Sequence, residues 1–164
     1  MIYYSRTSDF EHFTAPQVLY RREDGDMIDS AIYEEDGYYY LFVKSGYDPE
    51  YVQLLRSKQV TGTYELIEEF SRCMEKLETG KYEAPTAMKL PDGTWSLYLD
   101  YYGVPGKGQA YVPFLADSQA DGHFERSDAE FSFPYGFKHG TILPITMEEY
   151  ERIKAHDWSD KGWQ

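Results

Sequence analysis

Short runs of alternating apolar and polar residues, closed by acidic-Gly pairs, recur along this chain and predict β-hairpins. Met27-Ile28-Asp29-Ser30-Ala31-Ile32-Tyr33-Glu34 leads through Glu35-Asp36-Gly37 into the aromatic run Tyr38-Tyr39-Tyr40-Leu41-Phe42. Residues 81–90 lead through Asp92-Gly93 into Trp95-Ser96-Leu97-Tyr98-Leu99-Asp100 in the same way. Asp-Gly between two such runs is a strong hairpin signal, because both residues tolerate the positive φ of a tight turn. In each unit a carboxylate and a small residue stand where the first strand opens.

Two further strands follow each hairpin. The first full unit is expected at 27–34, 38–44, 51–57 and 63–70, and the second near 83–90, 94–101, 109–116 and 123–131. The turns Asp9-Phe10-Glu11-His12, Lys58-Gln59-Val60-Thr61-Gly62 and Asp117 to Gly122 each lead to an aromatic residue: Phe13, Tyr64 and Phe124. The strands 2–6 and 17–21 therefore read as the outer half of an earlier unit. Residues 71–80 read as a polar connection with room for a helical turn. A third unit opens at Phe137-Lys138-His139-Gly140-Thr141-Ile142 and stops at a helix, Met147 to about Ala155. Thr146 with Glu149 makes a capping box, and Tyr150 with Ile153 offers an apolar edge for docking. Self-similarity at this period suggests stacked four-stranded units, of which propeller blades are one kind.

Composition narrows the partners. With 164 residues the chain is read as one domain, 1–164. A formal net charge of -13, without Lys/Arg clusters, argues against a nucleic-acid backbone as partner. No long apolar run predicts a signal peptide or a membrane span, so the expected location is cytoplasmic and no membrane partner is expected. Cys73 is the only cysteine, which leaves no intrachain disulfide. No Cys/His spacing marks a metal site and no cofactor motif is present, so Cys73 reads as a spectator thiol and His12 as a solvent-facing loop residue. The 17 tyrosines suit two roles, strand formation and the stacking of a sugar ring in a cleft. Glu83 likewise has two readings: a solvated carboxylate at a loop edge, or a group projected into a site from a strand end.

Taken in order, Ile28-Asp29-Ser30-Ala31, Tyr82-Glu83-Ala84-Pro85-Thr86, Trp95 to Gly103 and His139 to Thr146 resemble glycoside hydrolase family 43, and also the related invertase- and levanase-like propellers. The family consists of five-bladed β-propeller enzymes acting on arabinose- and xylose-containing polysaccharides. The resemblance covers nearly the whole chain and matches the later part of the family's catalytic domain. It implies an all-β, partial propeller with a C-terminal helix. It also implies that Glu83 is the general acid, that Asp29 orients it and tunes its pKa, and that His139 lies beneath the sugar, where some members hold an ion. An inverting glycosidase needs one protonated carboxyl for the leaving oxygen and one carboxylate to activate water. A like charge nearby keeps the acid protonated.

The family's general base is an Asp at the start of the first blade, a part this chain lacks. Asp9 and Asp26 open no blade, so the role passes to neither. Three readings follow. One is a hydrolase completed by another copy or chain. The second is an incomplete, carbohydrate-binding domain, and the third is a β-rich interaction module. Half a propeller also bares sheet edges, which predicts a homo-oligomer, in its simplest form a dimer joined through the N-terminal strands or residues 137–146.

Overall fold

The computed structural model describes residues 1–23, 25–46, 51–77, 81–103, 110–127, 133 and 138–156. It is mostly β. A hairpin of β1 (Ile2–Tyr4) and β2 (Gln17–Tyr20) precedes two four-stranded antiparallel sheets. The first sheet takes β3 (Met27–Glu35), β4 (Tyr38–Ser45), β5 (Val52–Ser57) and β6 (Glu65–Leu66) in sequence order. The second takes β7 (Lys81–Lys89), β8 (Trp95–Tyr102), β9 (Ala110–Ala116) and β10 (Glu125–Arg126), again in sequence order. Two helices, α1 (Glu68–Glu75) and α2 (Met147–Ala155), complete the described elements. The blade-like units expected from the repeated pattern are therefore present; a closed propeller is not formed by the described residues.

The turns work as their residues demand. Glu35 pairs with Tyr38 across Asp36 and Gly37, whose φ values of 51° and 78° suit a two-residue hairpin turn. The second turn is longer: Leu90 N–H donates to Thr94 O at 2.8 Å, and Gly93 has φ 95°.

The fourth strand of each unit is shorter than expected. The predicted 63–70 strand is only Glu65–Leu66, and a helix starts at Glu68. Ile67, Phe70, Ser71 and Met74 have helical spacing, and burying that face decides the local structure against strand propensity. The predicted 123–131 strand is Glu125–Arg126, and residues 128–132 lie outside the described set. In the third unit, Phe137 and the tail from Asp157 also lie outside it, and 138–146 includes no strand. Helix α2 begins where predicted, with both arms of the capping box made. Its expected docking edge is partly exposed: Tyr150 and Ile153 are each 45% accessible.

The layers stack face to face. Phe42, Leu54 and Phe70 from the first unit meet Leu97, Leu99, Phe114 and Phe124 from the second in one core. Each of these side chains contributes about 1.5–3 kcal/mol by leaving water. Phe42, Phe70 and Phe124 meet edge to face, with centroids 5.5–5.9 Å apart. The opposite face of the first sheet (Leu41, Val43, Leu55 and Tyr64) packs against Ile2, Leu19 and Tyr20 of the N-terminal hairpin. Inner strand β7 lies against β3 and β4, which brings the openings of the two units together.

That junction is pinned by polar bonds. The Tyr33 hydroxyl on β3 accepts from Ala87 N–H on β7 at 2.8 Å. The Glu35 carboxylate accepts from Trp95 Nε1 at 2.6 Å, Gln119 N at 2.8 Å and Ser118 Oγ at 2.9 Å. Glu35 is buried, and these bonds outweigh the desolvation that would raise its pKa, so its carboxyl titrates below the ordinary range.

Candidate functional site

Both inner strands carry a bulge at the same place. In β3, Ile28 faces Lys44 and Ala31 faces Phe42, so Asp29 and Ser30 together oppose one residue. In β7, Glu83 faces Asp100 and Thr86 faces Tyr98, so Ala84 and Pro85 do the same. Asp29 and Ala84 each have φ 48°, and His139 has φ 51°. A non-glycine residue in the left-handed region costs about 1–2 kcal/mol and is held only by its surroundings. Bulges of this kind re-aim side chains and are common beside functional sites.

The register also revises the repeat. Asp29 matches Ala84, not Glu83, so Asp29 and Glu83 stand one position apart in their units. The offset is what lets them meet. Asp29 Oδ2 accepts from Ala84 N–H at 3.2 Å, which ties the first unit's carboxylate to the residue after Glu83. Glu83 Oε1 lies 3.1 Å from His139 Nε2. Asp29, Glu83 and His139, the three residues singled out from the sequence, are thus linked by direct bonds through one backbone step.

A fourth residue belongs to the group. Asp100, on β8 opposite Glu83, accepts from His139 N–H through Oδ2 at 3.0 Å, and the same oxygen lies 3.6 Å from His139 Nε2. Its side chain is 2% exposed, and Oδ1 has no hydrogen-bond partner among the described residues. Burial raises the Asp100 pKa above the usual carboxylate range, against the His139 backbone donor that lowers it. The equivalent position in the first unit holds Lys44, also buried, whose Nζ donates to Ser45 O at 2.8 Å. Asp100 escaped the sequence reading because it sits inside an aromatic strand. The available signal was a carboxylate at an inward-facing strand position.

Hydrogen bonds tie the segment carrying His139 to the second sheet. The Tyr111 hydroxyl and the Gly140 backbone exchange hydrogen bonds, and Ile142 N–H donates to Thr86 Oγ1 at 3.3 Å. The side chains of Glu83 and His139 are 16% and 46% exposed, so the site opens to solvent on the His139 side. Donor atoms of Glu83, Asp100 and His139 all lie within 4.8 Å of one another, a spacing that a cation could bridge. Chemically, the arrangement offers two partly accessible proton-transfer groups, Glu83 and His139, backed by one buried carboxyl.

His12 is an exposed loop residue, as expected, paired with Asp9 at 2.8 Å. No described contact joins Asp9 or Asp26 to the group.

A family model described as "probable glycosyl hydrolase domain", related to glycoside hydrolase family 43, matches residues 1–151, and the chain belongs to that family. No curated protein and no solved structure matches it.

Proposed function

We propose that this glycosyl hydrolase domain acts on arabinose- or xylose-containing glycosides by an inverting acid/base mechanism, with Glu83 as the acid. The observation that carries the reading is the contact network joining Asp29, Glu83 and His139 across two units. Glu83 is positioned to protonate the departing glycosidic oxygen. Asp29 fixes the backbone beside it. His139, the most exposed of the three, contacts the sugar, and Asp100 holds His139 in place. An inverting enzyme separates its acid and base by about 6.5–9.5 Å to admit a water, so the base must stand across the sugar from Glu83. A second copy of the chain, or an additional blade, supplies that carboxylate.

Assembly is part of this reading. Phe10, Phe13 and Val18 near the N-terminal hairpin, and Leu143 and Ile145 in the final segment, are exposed apolar groups at the two ends of the stack. Their burial against a second copy would make a dimer and bring its carboxylates within reach of Glu83.

The test is hydrolysis of arabinofuranosides and xylosides by the wild type and by Glu83→Gln. Loss of the acid should cost about 10²–10⁴-fold on substrates with poor leaving groups and far less on activated aryl glycosides, which depart without a proton. The first product anomer, read by NMR, should be inverted. Equal activity of Glu83→Gln on both substrate types would refute the assignment. Saturable sugar binding without turnover would instead favour the carbohydrate-binding reading, which the unfilled base role supports.

A further inference from the structure

A second constellation lies where α1 meets the turn entering β10. Cys73 Sγ is 3.9 Å from His123 Nδ1, and His123 Nδ1 is 4.0 Å from Glu69 Oε1. All three donor atoms fall within 4.8 Å of one another. Glu69 and Cys73 are four residues apart on α1, so they share a helix face. Arg72 engages the other Glu69 oxygen, Oε2, at 2.8–2.9 Å, leaving Oε1 turned to the imidazole.

The ring orientation is the informative part. His123 Nε2 lies 3.0 Å from Glu125 Oε1. A neutral ring that donates from Nε2 presents the Nδ1 lone pair to Cys73 and Glu69. A carboxylate oxygen, an imidazole nitrogen and a sulfur then converge, with the single thiol proton to share. An imidazole that binds metal through one nitrogen and donates to a carboxylate through the other has this same layout.

The distances fit a small tetrahedral ion. Metal–sulfur and metal–nitrogen bonds of about 2.3 and 2.0–2.1 Å set sulfur and nitrogen about 3.6 Å apart, and nitrogen and oxygen about 3.3 Å apart. The observed separations of 3.9 and 4.0 Å exceed these by about 0.3 and about 0.7 Å, which side-chain rotation closes. The backbone next to His123 is already fixed. Gly122 has φ 68°, and a Cβ there would sit 2.5 Å from Ile67 Cγ2 and 2.9 Å from Phe70 N, so the turn rests directly on α1.

We propose that Glu69, Cys73 and His123 bind a thiophilic divalent cation of the zinc class, which clamps the helix following the first sheet to the last strand of the second. A thiolate with an imidazole selects such an ion over magnesium or calcium. The half-exposed His123 side chain leaves the fourth position open to water. Binding replaces the Cys73 S–H bond with a sulfur–metal bond and releases one proton to solvent, with no change of oxidation state.

Cobalt(II) is the probe, added to the full, reduced, metal-stripped chain. The expected result is one equivalent bound, with a near-ultraviolet thiolate-to-cobalt charge-transfer band that zinc bleaches. Cys73→Ser and the exposed-site variant His123→Gln should each abolish the band. Glu125→Gln should weaken binding about 10–100-fold. Zinc should raise the unfolding midpoint of the wild type but not of Cys73→Ser, while Glu83→Gln keeps the full response. Absence of the band in the wild type, or undiminished cobalt binding by folded His123→Gln, overturns the proposal.

Discussion

Replacing Glu35 with Ala tests how the two units are held in register. The Glu35 side chain is 4% exposed and takes buried donors from the second unit, Trp95 Nε1 and Gln119 N–H, with the Ser118 hydroxyl beside them. A hydrogen bond to a charged acceptor is worth about 1.5–3 kcal/mol, and a buried donor stripped of its partner forfeits a similar amount. Lys89 lies 3.4 Å away with half its side chain in water, so it adds little. Two buried donors therefore set the cost of Glu35→Ala at about 3–5 kcal/mol. Glu35→Gln should cost less but still measurably, since its amide NH₂ must face one of these donors. Urea unfolding followed by Trp fluorescence reads both. The pH dependence has a definite sign. The folded Glu35 pKa is lowered, so its contribution is complete above the ordinary Glu range and is lost as pH falls through the folded-state value. The gap between wild type and Glu35→Gln should close in acid. A Glu35→Ala cost below about 1 kcal/mol, or a gap independent of pH, would show that the network does not hold the units together.

Two further outcomes follow from the geometry. Gly122→Ala should destabilise by about 2–4 kcal/mol, combining positive-φ strain with overlap at Ile67 and Phe70; Gly93→Ala, whose Cβ meets nothing within 4 Å, should lose only the strain, about 1 kcal/mol, and equal thermal shifts for the two would contradict this. Asp100 has a raised folded-state pKa, so its contribution is complete below the ordinary Asp range and is lost as pH rises through the folded value. Asp100→Asn should then match the wild type in acid and exceed its stability at neutral pH while slowing any glycosidase activity through His139, and lower stability at neutral pH would count against burial as the dominant influence on this carboxyl.

Local chemistry made much of this chain legible. Alternation and Asp-Gly turns specify the hairpins, because side chains on a strand alternate faces and only a few residues accept positive φ. Thr146 and Glu149 specify the start of α2, because a cap is satisfied within four residues. Asp29 and Glu83 stood out because each lies where an inner strand opens, and His139 through the family resemblance.

What the local pattern could not decide depended on neighbours distant in sequence. Residues 67–70 read as the end of a strand until Ile67, Phe70 and Met74 pack into the shared core, where the chain turns into a helix at Glu68. The bulges put Asp29 level with Ala84 rather than Glu83, a one-residue shift visible only in the pairing with β4 and β8. Glu35 looked like part of a turn and became a buried acceptor for donors 60 and 84 residues away. Asp100 and the Cys73–His123 pair gain their chemical meaning only when partners 39 and 50 positions apart in sequence are folded together. Burial and pairing are properties of the assembled layers, so the elements were set by the sequence locally, while the site was set by how the sheets stack.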